Sequence, residues 1–214
     1  MLTRLGHLSV QDFIQEYWQK KPLLIRHLLK NPDPGVDGND LAGMAMETSV
    51  ESRIVYEQLD GRHWQVQHGP FTEKQLTSLP ETGWTLLVQG LDHWVPECAD
   101  LLDLFRFIPN WRVDDIMASF AVPGGGVGPH YDQYDVFLLQ AAGLRRWQIG
   151  SECDRQTPCK GDTPLNILNK MEVSEEWVVE PGDCLYLPPG VSHHGVAISD
   201  CITLSIGFRS PGYD

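Results

Sequence analysis

Residues 123–135 read PGGGVGPHYDQYD, a glycine-rich bend followed by two potential metal ligands. His130 and Asp132 are two residues apart, so in an extended segment both side chains leave the backbone on one face, as two ligands of one ion must. A third ligand type comes from residues 180–195, EPGDCLYLPPGVSHHG. There an apolar run passes into Pro188, Pro189 and Gly190 ahead of His193. Two imidazoles and a carboxylate on one face of an octahedral ion leave the remaining positions open, an arrangement that suits non-haem Fe(II). His193 follows Asp132 by 61 residues, a separation that fits a late strand returning beside an early one.

Outward from these stretches, the chain from Trp111 onward is a series of short apolar runs punctuated by Gly and Pro: IMASFAV, DVFLLQ, RRWQI, EWVVE, DCLYL, GVAI and ITLSIGF. Seven such runs with few helix signals argue for a closed or two-sheet β-barrel rather than a parallel α/β sheet. The expected fold is mainly β with flanking helices, with residues 111–209 as the metal-binding core and residues 1–110 as a mixed α/β scaffold. In that scaffold, Ser9 caps a helix over residues 10–19 that Pro22 ends, and LLIRHLL is extended. Asn31 to Asp40 is a loop, LAGMAM a short helix, and ECADLLDLFRFI a helix. Residues 52–68 form a hairpin turning at Asp60 and Gly61, and Trp84 to Gln89 is a strand. The segment from Ser151 to Asn169 interrupts the strands as an insertion over the barrel mouth. No linker divides the chain, so it is read as one domain over 1–214.

The 214 residues are 42% apolar, enough for one substantial core. A net charge of -13 repels nucleic-acid phosphates and favours a basic partner. Five cysteines without a C-x-x-C pair argue against a zinc ribbon or a disulfide framework and for a reducing cytoplasm. No run approaches a membrane span, and the N-terminus lacks the pattern of a signal peptide.

Alternation alone does not separate His193 from His194. The spacing Pro188-x-Gly190-x-x-His193 favours His193 and resembles the second cupin motif, although Ala197 stands where that motif has asparagine. In GLRRWQIG, Arg145 shares parity with Trp147 and Ile149 and is expected to face inward with them. A buried guanidinium needs a carboxylate, supplied either by an internal acid or by a ligand. Beside an iron site, a dicarboxylate chelating the metal at one end and meeting Arg145 at the other is the better account. By the same parity argument, Asp115, Tyr134 and Ser205 can point into one barrel, with Asp115 as partner of a substrate guanidinium. His7, His27, His63, His68 and His93 are scattered and are read as structural or exposed.

FIQEYWQKKPLLIR, VPGGGVGPHYDQYDVFLLQ, GLRRW and LPPGVSHHG together resemble the bacterial JmjC ribosomal oxygenases, within the 2-oxoglutarate- and Fe(II)-dependent oxygenases. The resemblance implies a double-stranded β-helix of the jelly-roll or cupin type. It also implies iron at His130, Asp132 and His193, 2-oxoglutarate on Arg145, molecular oxygen, and hydroxylation of an arginine in a large-subunit ribosomal protein. Members of this branch continue into a dimerisation region and a winged-helix domain, whereas this sequence stops at Asp214. A truncated or short relative is therefore expected, with a homodimer only in a longer form. Two rival readings are an idle barrel that grips a basic segment and an N-methyl lysine or arginine demethylase.

Overall fold

The computed structural model describes residues 1–57, 64–161, 163 and 165–210. The chain opens with a small hairpin, β1 (Arg4–Leu5) and β2 (Leu8–Ser9), followed by α1 (Val10–Glu16) and β3 (Leu23–Ile25). Next come α2 (Gly38–Met44), β4 (Ser52–Tyr56), β5 (Gln65–His68), α3 (Glu73–Thr77), β6 (Trp84–Val88) and α4 (Pro96–Leu102). The second half is β7 (Val113–Ala121), β8 (Asp135–Ala142), β9 (Arg145–Glu152), β10 (Val173–Val179), β11 (Cys184–Leu187), β12 (Val191–Ala197) and β13 (Cys201–Phe208).

Eight strands form one antiparallel sheet in the order β3-β11-β8-β13-β7-β6-β4-β5. A three-stranded sheet, β10-β9-β12, faces it. The result is the mainly β, two-sheet architecture expected from the strand count, in the cupin-like form that the resemblance implied. β8 is buried along almost its whole length because both of its faces are covered. Val136 and Leu138 pack toward Trp147, Ile149 and Leu187 between the sheets. Phe137 and Leu139 belong to the larger core under the N-terminal helices. There Phe13 of α1 meets Tyr186 edge-on at 4.9 Å and Phe137 at 5.7 Å between ring centroids.

Tertiary contacts shift several element ends from their sequence positions. α1 stops at Glu16 rather than residue 19, because the chain turns through Gln19 in the left-handed region at φ 59°. The Gln19 amide donates to the Tyr186 hydroxyl at 2.7 Å, and its side-chain Nε2 donates to Asp135 at 3.0 Å. The extended LLIRHLL segment is cut to three residues, since His27 also has positive φ. The buried Asp183 carboxylate accepts from the His27 amide and from Arg26. α2 begins at Gly38, inside the expected loop, capped by Asp37 through a reciprocal box with Asp40. The expected helix over ECADLLDLFRFI is helical only to Leu102 and continues as a 3₁₀ turn over Asp103–Phe105. The short run GVAI belongs to a longer strand that already begins at Val191. The turn expected at Asp60 and Gly61 lies outside the described residues, while the two strands flanking it do pair.

Among the described residues no helix is long and apolar enough to cross a membrane. All five cysteines are free thiols. Asp135 is fully buried, and it accepts from the Tyr186 hydroxyl at 2.6 Å, from Gln19 and from the Ser210 hydroxyl. Burial pushes its carboxyl pKa up, while the Tyr186 and Gln19 hydrogen bonds pull the other way. Tyr186→Phe leaves this carboxylate short of a donor and should cost about 1–3 kcal/mol of stability. Chemical denaturation would show this as a lower midpoint at unchanged slope.

Candidate metal centre

His130 and His193 sit opposite one another in a single antiparallel bridge. Each amide donates to the other's carbonyl, at 3.0 and 2.8 Å, so both imidazoles leave on the same side. The histidine at 193 is presented inward because its partners across the small sheet are inward-facing. His193 pairs with Ile149, Gly195 with Trp147 and Ala197 with Arg145. A register shift between Val191 and His193 re-aims the strand at this point. His194 faces the other way and meets Glu57 at 3.0 Å. Of the two histidines, His193 is thus the one that stands beside His130.

Asp132 completes a cluster with the two rings. Its Oδ2 is 3.6 Å from His193 Nε2 and its Oδ1 is 4.0 Å from His130 Nε2. One ligand atom from each of the three residues lies within 4.8 Å of the others. Both imidazole Nδ1 atoms face carbonyl oxygens, Gly128 at 2.8 Å for His130 and Val191 at 2.9 Å for His193. A ring nitrogen against a carbonyl must carry the proton, which leaves the Nε2 lone pairs directed at a common point. Burial, then the neighbouring His130, pulls the His193 pKa down to about 4, so the ring is neutral near pH 7. The donor set therefore fits a divalent transition ion. Two residues before His130, Gly128 has φ +83°, and a Cβ there would stand 2.4 Å from Ile167 Cδ1.

The three ligands line a cavity of about 300 Å³. Tyr134 and Ser205, both nominated from the sequence, lie in its wall. Burial, with the Asp132 and Asp115 carboxylates, raises the Tyr134 pKa and keeps the phenol neutral. Asp115 is not among the lining residues. Its Oδ2 accepts from Gln89 Nε2 at 2.6 Å and from the Gly90 amide at 2.9 Å. Arg145 is 5% exposed and lies one layer behind the wall. Its Nη1 donates to Ser119 at 3.1 Å and to Thr203 at 3.2 Å. Its Nε is buried without a partner, and among the described residues no carboxylate lies within ion-pair range. Burial pulls the guanidinium below its ordinary pKa. The Cys201 thiol and the more distant Glu57 carboxylate pull the other way.

Sequence reasoning did not nominate Arg53, Ser119 or Asn166, although all three line the cavity. Ser119 was readable in principle, because it shares parity with Asp115 and Met117 on β7. Arg53 comes from β4, in a half of the chain without clustered ligand types. From the 151–169 segment, Leu165, Asn166 and Ile167 line the cavity, and the Leu168 amide donates to the Pro129 carbonyl at 2.8 Å. A wider outer cleft shares Tyr131, Asp132, Tyr134 and Asn166 with the cavity and adds Gln133 and Arg155. His7, His27, His68 and His93 are exposed, and His63 lies outside the described residues.

A family model described as JmjC domain matches residues 100–214. The chain is 45% identical over 204 residues to the ribosomal protein uL16 3-hydroxylase of Escherichia coli, covering 95% of this chain and 53% of that one. It is 44% identical over 206 residues to a probable ribosomal oxygenase of Haemophilus influenzae, covering 96% and 50%. A solved structure of the E. coli ribosomal oxygenase YcfD with cobalt and 2-oxoglutarate superposes with a TM-score of 0.85 at 43% identity, over 97% of this chain and 53% of that chain. The chain thus spans about half the length of the curated relatives it matches.

The pKa of His193 carries a pH signature. Its folded value lies below the unfolded value of 6.5, so the stability it contributes is fully present above pH 6.5. As pH falls from 6.5 toward about 4, the unfolded chain takes the proton and the folded one does not, and that stability is lost. Thermal unfolding of chelator-treated protein should fall across this window, and His193→Gln should flatten the fall.

Proposed function

The chain belongs to the JmjC domain family, and from that premise we propose that it is a 2-oxoglutarate- and Fe(II)-dependent oxygenase that hydroxylates an arginine side chain of a large-subunit ribosomal protein. One observation carries the reading. Two imidazoles and a carboxylate converge on one cavity wall, and on the same face of the neighbouring strand lies a buried guanidinium with no carboxylate in ion-pair range among the described residues. His130, Asp132 and His193 would hold the iron, and Arg145 the far carboxylate of 2-oxoglutarate. Iron with 2-oxoglutarate supplies oxidative decarboxylation to succinate and carbon dioxide, with transfer of one oxygen atom from O₂ into a C–H bond.

The chain's own residues contribute positioning and exclusion. The Gly128 and Val191 carbonyls engage the Nδ1 atoms of the two imidazoles, which orients the rings and directs Nε2 to the metal position. Val136, Leu138 and Trp147 give the inner cavity an apolar wall that limits water at the reacting carbon. Tyr134 and Ser205 offer hydroxyls to an incoming side chain at the mouth. Asp115 places negative charge beside Tyr134, its Oδ2 held by Gln89 and Gly90 and its Oδ1 left for a guanidinium. The net charge of -13 draws basic ribosomal proteins rather than nucleic acid. The 3-hydroxylase activity in the E. coli relative's name supports hydroxylation over the rival readings.

Incubation with ribosomal proteins, Fe(II) and 2-oxoglutarate should add one oxygen to one arginine-containing peptide, read by mass spectrometry, with stoichiometric succinate. Asp132→Ala should abolish both products, and metal-independent turnover would overturn the reading. Asp115→Asn should raise KM for the protein substrate while leaving substrate-independent 2-oxoglutarate turnover unchanged. An unaltered KM would remove Asp115 from the substrate site.

A further inference from the structure

The acidity of the chain stops short of the metal. Asp132 is the one carboxylate among the described residues that line the cavity or the outer cleft, and its oxygens face the two histidines. Histidines aside, the other charged groups there are cations, Arg53 in the cavity wall and Arg155 in the outer cleft. In a protein of net charge -13 that favours a basic partner, this entrance has the wrong sign for gripping basic side chains.

Neither arginine is strongly engaged by the protein. Arg53 stands on β4 in a row with Leu87 of β6 and Ser119 of β7, all three in the cavity wall. Its Nη2 donates to the Met117 thioether at 3.7 Å, a weak acceptor, and its Nη1 is 3.8 Å from Glu51, whose side chain is 73% exposed. Among the described residues Arg155 makes no ion pair, and neither Gln133 nor Asn166 beside it in the cleft makes a side-chain hydrogen bond. The wall that carries them is nonetheless built. The turn holding Arg155 is closed by the Thr157 amide on the Asp154 carbonyl at 3.0 Å and by the Gln156 amide on Asp154 Oδ1 at 2.9 Å. From the other side of the cleft, the Tyr131 hydroxyl donates to that same carbonyl at 2.7 Å. The Cys153 amide anchors the segment to the Gly190 carbonyl at 2.7 Å. A preformed cleft of about 630 Å³ thus presents donors without acceptors.

Arginine only donates, whereas the side-chain amides both donate and accept. A basic segment offers few carboxylates, but it carries a carbonyl at every residue, spaced at about 3.3 Å of rise when the chain is extended. We propose that the outer cleft docks the main chain of a basic polypeptide in extended form, its carbonyl oxygens accepting from Arg155, Gln133 and Asn166, with Arg53 meeting a further carbonyl at the inner end. The inference rests on the protein-hydroxylase reading above and adds how the chain on either side of the target is held. Tyr131, Asp132, Tyr134 and Asn166 belong to both the cleft and the cavity, so a chain lying in the one can pass a side chain into the other. Long-range charge brings the partner, and the rim then reads its backbone rather than its flanking side chains.

The probe is the arginine-containing ribosomal peptide that gains oxygen, at full length and trimmed to the arginine with one residue on each side. Wild-type KM should rise roughly tenfold or more on trimming, the loss expected when several hydrogen bonds go. Arg155→Ala combined with Gln133→Ala, both at exposed positions, should bring the ratio of the two KM values toward one. Replacing the flanking side chains of the full peptide by alanine should leave its KM nearly unchanged. Cys159 lines the cleft and Cys153 does not. Saturating peptide on protein loaded with Mn(II) and 2-oxoglutarate should therefore slow alkylation of Cys159 by iodoacetamide relative to Cys153. Turnover of the full peptide with the ratio unmoved in the double variant, or with Cys159 unprotected, would overturn the docking surface and leave the oxygenase reading intact. Affinity traced to one acidic flanking side chain would overturn it as well. So would a single-stranded oligonucleotide that protects Cys159 where the peptide does not, since the arginines would then serve phosphate. Failure of every ribosomal peptide to gain oxygen would remove both readings.

Discussion

The amide of His130 donates to the carbonyl of His193 and the amide of His193 donates back. Through that one reciprocal pair, segments far apart in sequence present two imidazoles to a single point. The main-chain pairing brings the ring centroids to 4.3 Å. The third ligand needs no further device, because Asp132 is two residues along the same extended segment. Protein hydrogen bonds thus help gather the ligand set, and to that extent the entropy of gathering it is met by folding.

Three residues beyond Asp132, a polar junction stands at the base of β8. Asp135 follows the cavity residue Tyr134 directly. It ties Gln19 after α1, Tyr186 of β11 and Ser210 after β13 to the start of that strand. Arg112, 3.8 Å from the same carboxylate, brings in the beginning of β7. The N-terminal helix is therefore coupled to the wall of the cavity through one buried acid and a cluster of aromatic rings. β4 and β6 extend the same sheet, and Arg53 and Leu87 reach the cavity from them.

Much of this was legible from residue pattern. The metal ligands announced themselves by spacing, and the inward set on β9 by parity, because both signals are local. The strand count gave the architecture for the same reason. What escaped was set by distant contacts. α1 ends where Tyr186 and Asp135 capture Gln19, and no local residue marks that point. β12 reaches back to Val191 through a proline- and glycine-rich stretch that reads as loop, its pairing decided by Glu152 and Ile149 across the sheet. Arg53 reaches the cavity only because β4 joins the sheet that carries β7. α3 is a different case: Thr72 and Gln75 form a reciprocal capping box, a signal that is local and lies in the sequence itself.

β8 serves two masters at alternate positions. Val136 and Leu138 furnish the cavity wall, while Phe137 and Leu139 furnish the hydrophobic bed beneath the helices. Because the side-chain period is two, gaining or losing a single residue between Asp135 and Gln140 would exchange the two sets wholesale. Phenylalanine would then intrude on the cavity as valine hollowed the core. Evolution can vary what this strand carries at each position but not how many positions it has, and length, more than composition, is the conserved quantity to look for when descendants of this chain are compared.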